Sequence, residues 1–147
     1  MNLLELFIEQ RIAFEKSYDD GDWSRLVPYF SEDIQYQVFG APFHCMINGR
    51  NKVIEGIQKS VMNFDKLCER EIRSIGMPTV EGDTVLAYGE LHFRRNDDPP
   101  IACKLREIAT YKDGFIVRLM DIYDAGADVE YQAWFEKWGN GLDANYA

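Results

Sequence analysis

Several common chemistries lack their raw material in this sequence. Two histidines and three cysteines occur in 147 residues. Cys45, Cys68 and Cys103 are odd in number and show no C-x-x-C spacing. Reduced, buried thiols in a cytoplasmic protein are therefore expected, rather than a disulfide framework or a zinc ribbon. No glycine-rich phosphate loop and no nucleophile elbow occurs. No apolar run reaches membrane-spanning length, and the opening MNLLELFIEQ has no cationic leader, so neither a membrane anchor nor a secretory signal is expected. Positive charge is also scarce: 16 Lys and Arg stand against 25 Asp and Glu, a net charge of −9. That balance argues against a partner built on phosphates, whether nucleic acid or an anionic membrane.

What is present is apolar and aromatic: 46% hydrophobic residues and 14% aromatic, enough for one domain over 1–147 with a real core. Leu4, Ile8 and Ile12 repeat at i+4, with Phe7, Phe14 and Tyr18 extending the stripe, and Asn2 with Glu5 resembles a capping box. A helix is predicted over about 3–19, ending at DDGD. Asp22 can cap a short second helix, IQYQVF alternates as a strand, GAPFHCMING reads as a loop, and Asn51 can cap a third helix with Val53, Ile57 and Val61 on one face. Four strands follow: REIRSIGMPTV, TVLAYGELHFRR, IACKLREIATY and GFIVRLMDIYD, joined by EGD, NDDPP and KDG. A last aromatic helix spans about 128–138, capped by Asp128 and stopped by Gly139. This order predicts an α+β domain: a strongly bent, mainly antiparallel sheet with the N-terminal helices packed in its concave face.

Three stretches resemble one family. GDWSRLVPYFSEDIQYQV is similar to its helix–turn–first-strand segment, GRNKVIEGI to the start of its third helix, and YKDGFIVRLMDIYD to its closing hairpin. The family is the nuclear transport factor 2-like superfamily, in its SnoaL-like and ketosteroid-isomerase-like branch, and the likeness covers roughly residues 3–124. It implies a cystatin-like cone with a pocket between sheet and helices, and homodimers packed through the outer sheet face. It implies cofactor-free chemistry or plain ligand binding, since fold alone does not give function.

Strand residues two apart share a face. In the last strand Val117, Leu119, Asp121 and Tyr123 share one. In the strand before it Cys103, Leu105, Glu107, Ala109 and Tyr111 share another, and the outward look of Lys104 and Arg106 turns Glu107 inward. For TVLAYGELHFRR, hydropathy alone prefers Ala87, Gly89, Leu91 and Phe93 inside, whereas the family alignment prefers Tyr88, Glu90 and His92. The alignment is followed here, and it also turns Ile34, Tyr36 and Val38 inward. Tyr36, Tyr88, Glu90, His92, Glu107, Asp121 and Tyr123 would then converge on a cavity with Phe14, Val38, Met62, Phe64 and Leu119 as apolar wall, a small-molecule site by default. His44 would border its mouth, and Tyr131, Trp134, Phe135 and Trp138 would lid it, pack on a partner subunit or pack the core.

Asp121 stands near the position where the resemblance implies an acid–base aspartate. Burial and a second carboxylate would raise its pKa toward neutrality. The alternative is a structural Asp accepting hydrogen bonds. Glu107 matches a position where the family carries a protonated carboxyl, or it pairs with Arg106 or Arg118 at the surface. His92 could shuttle protons or lie on the surface, and Glu90 shares that choice. Tyr36 and Tyr123 could donate to a developing oxyanion or be satisfied core phenols. Phe14 and Val38 stand where ketosteroid isomerases carry a phenol and a base, so steroid isomerisation is not expected. REIRSIGM lacks the histidine of scytalone-dehydratase-like enzymes. No metal-ligand spacing occurs, and no metal or organic cofactor is expected. The expectation is a cofactor-free isomerase, cyclase or lyase acting on a mostly apolar carbonyl or hydroxyl compound, or a binding or dimerisation module of the same fold.

Overall fold

The computed structural model describes residues 2–147. Helix α1 (Leu3–Asp20) begins where the Asn2 side chain accepts from the Glu5 N–H at 3.2 Å. It ends at Gly21, whose φ of 78° lets its N–H reach the Ser17 carbonyl at 2.8 Å. The chain continues through a 3₁₀ segment (Trp23–Tyr29) into β1 (Phe30–Phe39), then β2 (Cys45–Asn48) and α2 (Arg50–Asn63). Strands β3 (Glu69–Ser74), β4 (Thr79–Glu81), β5 (Thr84–Arg94), β6 (Ile101–Lys112) and β7 (Phe115–Tyr123) follow, and α3 (Ala127–Trp138) closes the order. The expected loop 40–49 thus contains a strand, and REIRSIGMPTV is two strands rather than one. Asn51 lies inside α2, whose cap is Gly49 with no side-chain bond. Likewise Gly126, not Asp128, caps α3.

The seven strands form one mixed sheet in the order β2-β1-β7-β6-β5-β3, with β4 also on β5. Every pair is antiparallel except β1 with β7. The expected strongly bent cone is not found: the sheet is neither closed nor strongly curled. Its path ends at β2 and β3 with no ladder between them. Sharp bends need bulges or irregular pairing, and β5 pairs with β6 in unbroken register from Thr84↔Thr110 to Phe93↔Ile101.

All three helices lie on one face of the sheet. Ile34, Tyr36, Val38, Val85, Phe93, Cys103, Ala109, Leu119 and Tyr123 turn toward them and are buried. From the helices come Phe7, Ala13, Val53, Ile57, Val61, Tyr131 and Trp134. The buried face of α1 is therefore Phe7, Gln10, Ala13 and Ser17, not the Leu4/Ile8/Ile12 stripe: Ile8 and Ile12 are exposed. Val117 is an extra residue where the β6–β7 register shifts, so Ile116 takes the inner place opposite Tyr111. The aromatic residues of α3 pack the core, with Tyr131 5.1 Å from the Phe43 ring and Trp134 6.4 Å from Phe64. Cys45, Cys68 and Cys103 are free; Cys103 is buried, but Cys45 and Cys68 are only half-buried.

The segment after α3 folds back over α2, where the Ser60 hydroxyl donates to the Ala144 carbonyl at 2.7 Å. Gly56 leaves room for it: a Cβ there would lie 2.7 Å from the Tyr146 carbonyl oxygen and 2.9 Å from Ile47 Cδ1. Gly56→Ala gains about 1 kcal/mol of helix propensity. It is nevertheless expected to lower stability by about 1–2 kcal/mol in a denaturant titration, because the clash is with backbone.

Candidate functional site

A cavity of about 720 Å³ lies between α1 and the helix-bearing face of the sheet. Phe7, Phe14, Phe64, Leu91, Phe93 and Leu119 line it, and Ile8, Ile12 and Ile72, all exposed, stand along it at the surface. Into this apolar space project the carboxyls of Asp121 and Glu107, the phenols of Tyr36 and Tyr123, and the Arg11 guanidinium.

The strand ladders set the central group. Glu107 on β6 is the direct partner of Asp121 on β7, and Val38 of β1 flanks Asp121 on the other side. Tyr36, two residues before Val38 on the same face, donates its hydroxyl to Asp121 Oδ2 at 2.7 Å. Asp121 Oδ1 and Glu107 Oε1 are both buried without another partner. A hydrogen bond between the two carboxyls satisfies both if one of them carries a proton. Burial holds the Asp121 carboxyl well above the usual carboxylate range, and the Glu107 charge and hydrogen bond add to this against the opposing pull of Tyr36. These causes favour the protonated form of Asp121, which can donate to Glu107. With both Asp121 oxygens engaged, the oxygen left for a ligand is Glu107 Oε2, 3.9 Å from Arg11 Nη1. Tyr36 and Tyr123 are both raised, chiefly by burial, and stay neutral phenols.

A second polar cluster stands in the same cavity wall. Arg70 donates to Glu15 at 2.8 and 3.2 Å and lies 3.3 Å from Asp65 Oδ2, with its guanidinium 4.5 Å from the Tyr18 ring. Burial pushes the Asp65 carboxyl up to about 7 against the charge of Arg70. Arg11, 3.3 Å from Glu15 and 4.6 Å over the Phe14 ring, joins the two clusters.

Of the residues expected at the site, Asp121, Glu107, Tyr36, Tyr123, Phe14, Phe64 and Leu119 meet in the cavity, and Tyr88 and Glu90 border it along β5. Tyr88, Glu90 and His92 do not turn inward. Val85, Ala87, Leu91 and Phe93 hold the inner face of β5, so the alternate set points away from the helices, as hydropathy alone prefers. The Tyr88 hydroxyl donates to Asp124 under the Arg106 guanidinium, and Glu90 pairs with its strand neighbour His92, so His92 cannot serve Asp121. Val38 is closed in the core beside Asp121, while Met62, one residue past the inward Val61, turns away and is exposed. His44 is exposed in the turn before β2 and does not border the cavity.

Arg11, Gln10, Asp65, Arg70 and Tyr146 are cavity residues that the sequence did not suggest. Arg11 could have been found: it lies four after Phe7 and three before Phe14, on the aromatic side of α1. Tyr146 had no local signal. It reaches the site only because the last residues pack on α2, which sets its ring 5.4 Å from that of Tyr36.

No protein-family model matches the chain, and no curated protein matches it in sequence. Solved structures do. A protein from Rhodopseudomonas palustris named as a candidate isomerase superposes with a TM-score of 0.70 at 13% identity, over 87% of this chain and 96% of its own. A nuclear transport factor 2-like protein from Burkholderia thailandensis gives 0.68 at 10% identity, over 90% and 98%. TerC, co-crystallised with polyporic acid, gives 0.61 at 17% identity, over 88% and 99%. The chain has the nuclear transport factor 2-like fold. Among the described residues no helix is long and apolar enough to cross a membrane.

Proposed function

We propose that the cavity binds a mostly apolar small molecule bearing a carbonyl group and moves a proton at the carbon next to it. The observation that carries this is the facing Asp121–Glu107 carboxyl pair in an apolar cavity beside Arg11. Asp121 keeps its proton and donates to Glu107, which orients Glu107 with its other oxygen free. Glu107 Oε2 takes the C–H proton, the electron pair moves onto the carbonyl oxygen, and the Arg11 guanidinium balances the enolate charge. Glu107 then returns the proton to the same carbon or to one conjugated with it, which makes the net reaction an exchange or an isomerisation. Tyr36 acts as a positioning residue for Asp121, since its hydroxyl proton is already committed there. The similarity to a candidate isomerase agrees with this chemistry.

The test uses 2-tetralone, a bicyclic ketone with acidic α-hydrogens. Wild type is expected to speed deuterium uptake from D₂O, followed by NMR, and Glu107→Gln to lower that rate about 10²–10⁴-fold. Phe14→Ala, which alters only the wall, should weaken binding more than the exchange step. If tetralone raises the melting temperature but exchanges no faster with protein present, the cavity is a binding site without catalysis.

A further inference from the structure

The helix-bearing face of β5 has a gap in its middle. Val85 and Phe93 are buried near its two ends, but Ala87, Gly89 and Leu91 between them are only half-buried, and all three line the cavity. Glycine weakens a strand interior, because it adds no side chain to pack. Neither usual backbone reason for it applies to Gly89. Its φ lies outside the left-handed region. Both ladders run past it without a shift, Gly89↔Leu105 toward β6 and Gly89↔Ser74 toward β3. A Cβ placed there would meet the Arg73 carbonyl oxygen at 3.2 Å and no side chain. The space above Gly89 is therefore open, and a glycine in that setting marks close approach by another molecule.

The gap leads outward from the carboxyl pair. Glu107 faces Ala87 across the β5–β6 ladder, and β3 lies beyond β5 at the end of the sheet, with Ile72 opposite Leu91. Ile8, Ile12 and Ile72 line the same cavity and are 42%, 52% and 40% exposed. Exposed apolar residues scattered singly need no explanation, but three around one opening do. We propose that an unbranched alkyl chain of the ligand lies in this trough, over Ala87 and Gly89 and out between Ile72 and the Ile8/Ile12 stripe. This rests on the reading of the cavity as a site for an apolar carbonyl compound and narrows that class to ketones with a long alkyl tail. From β6 to β3 is two strand spacings, about 10 Å, which is longer than a fused ring pair. The floor and rim offer apolar contact and nothing directional, which suits methylene groups. The polar lining residues on this side, Ser74, Lys16 and Asp19, are exposed and stand where the trough meets water.

The experiment titrates wild type by calorimetry with 2-alkanones from 2-pentanone to 2-undecanone, beside 2-tetralone. Affinity is expected to rise about two- to fourfold per added methylene until the chain reaches the isoleucine rim, and then to level off. Gly89→Val, which fills the floor, should level off several methylenes earlier. Ile12→Ser combined with Ile72→Ser alters only exposed positions, so it keeps the test open should Gly89→Val not fold; it should lose the gain from the last few methylenes. If that double variant binds every alkanone as wild type does, the inference is overturned, and a wild-type dimer that it turns into a monomer in sedimentation would assign the rim to a second copy of the chain. If 2-tetralone binds wild type but alkanone affinity does not grow with chain length, the inference fails and the ligand-site reading stands. If neither kind of ketone binds, that reading fails, and this inference fails with it.

Discussion

Asp121→Asn makes the folded chain more stable at neutral pH, and the gain grows as the pH rises. Asn can reproduce both hydrogen bonds of the protonated aspartate: its oxygen accepts from the Tyr36 hydroxyl, and its amide donates to Glu107. What it removes is titration. The folded-state pKa of Asp121 is raised by burial and then by Glu107, so the folded chain holds this proton more tightly than the unfolded one, where the group titrates at about 3.9. Below that value both states are protonated and Asp121 costs nothing. Above it the unfolded chain loses its proton first, and stability falls by about 1.4 kcal/mol per pH unit until the folded pKa is reached. The variant lacks that slope. Urea titrations of both proteins at pH 4, 5, 6, 7 and 8 should give equal stabilities near pH 4 and a difference that widens toward pH 8. A variant weaker by the same amount at every pH would mean that Asp121 is a charged structural acceptor, and the proton-sharing pair would be wrong.

The inward turn of Glu107 was legible because it occupies a long strand whose alternation is readable from flanking charges, whereas both faces of the Asp121 strand are mostly apolar and periodicity does not choose between them. Lys104 and Arg106 face away from the helices, which turns Leu105 and Glu107 inward. β5 shows the limit of a distant likeness. Alternation alone placed Ala87, Leu91 and Phe93 inside, and alignment to the family reversed it; packing followed the hydrophobic residues, because a polar set of Tyr88, Glu90 and His92 would have had to be desolvated. The bend of the sheet was read from the order of elements, whereas curvature depends on bulges that have no reliable composition signature. On α1 the apolar i+4 stripe misled, since a helix beside a cavity exposes apolar residues at its mouth and buries polar ones in its wall. Ile8 and Ile12 are exposed, and Gln10 and Ser17 are buried. The ion pair joining Glu15 of α1 to Arg70 depends on a contact across 55 residues, which a local pattern does not carry.

Arg70→Met should destabilise the protein by about 3 kcal/mol at pH 7, and by more at higher pH. The Arg70 side chain is 8% exposed, bonds to both Glu15 oxygens, contacts Asp65 at 3.3 Å and covers the Tyr18 ring. Removing one member of a buried charge group usually costs about 3–5 kcal/mol, because the remaining charge is left unpaired. The low end applies here for two reasons. Glu15 is half exposed and keeps Arg11, and Asp65, already raised by burial to about 7, escapes by taking up a proton. Methionine preserves much of the stem's packing on Tyr18 and Phe14. The proton uptake fixes the pH signature. In wild type the stability lost to Asp65 accumulates from about pH 4 to about pH 7 and then stops. Without Arg70 the folded-state pKa of Asp65 moves higher, so the loss continues past pH 7 by up to about 1.4 kcal/mol per unit. The difference between the two proteins should be flat from pH 5 to 6 and grow from pH 7 to 9, with the ¹³C carboxyl shift of Asp65 titrating near 7 in wild type and above it in the variant. A difference constant from pH 5 to 9 would show that Arg70 does not govern the charge of Asp65, and would leave packing on Tyr18 and the bond to Glu15 as the whole of its contribution.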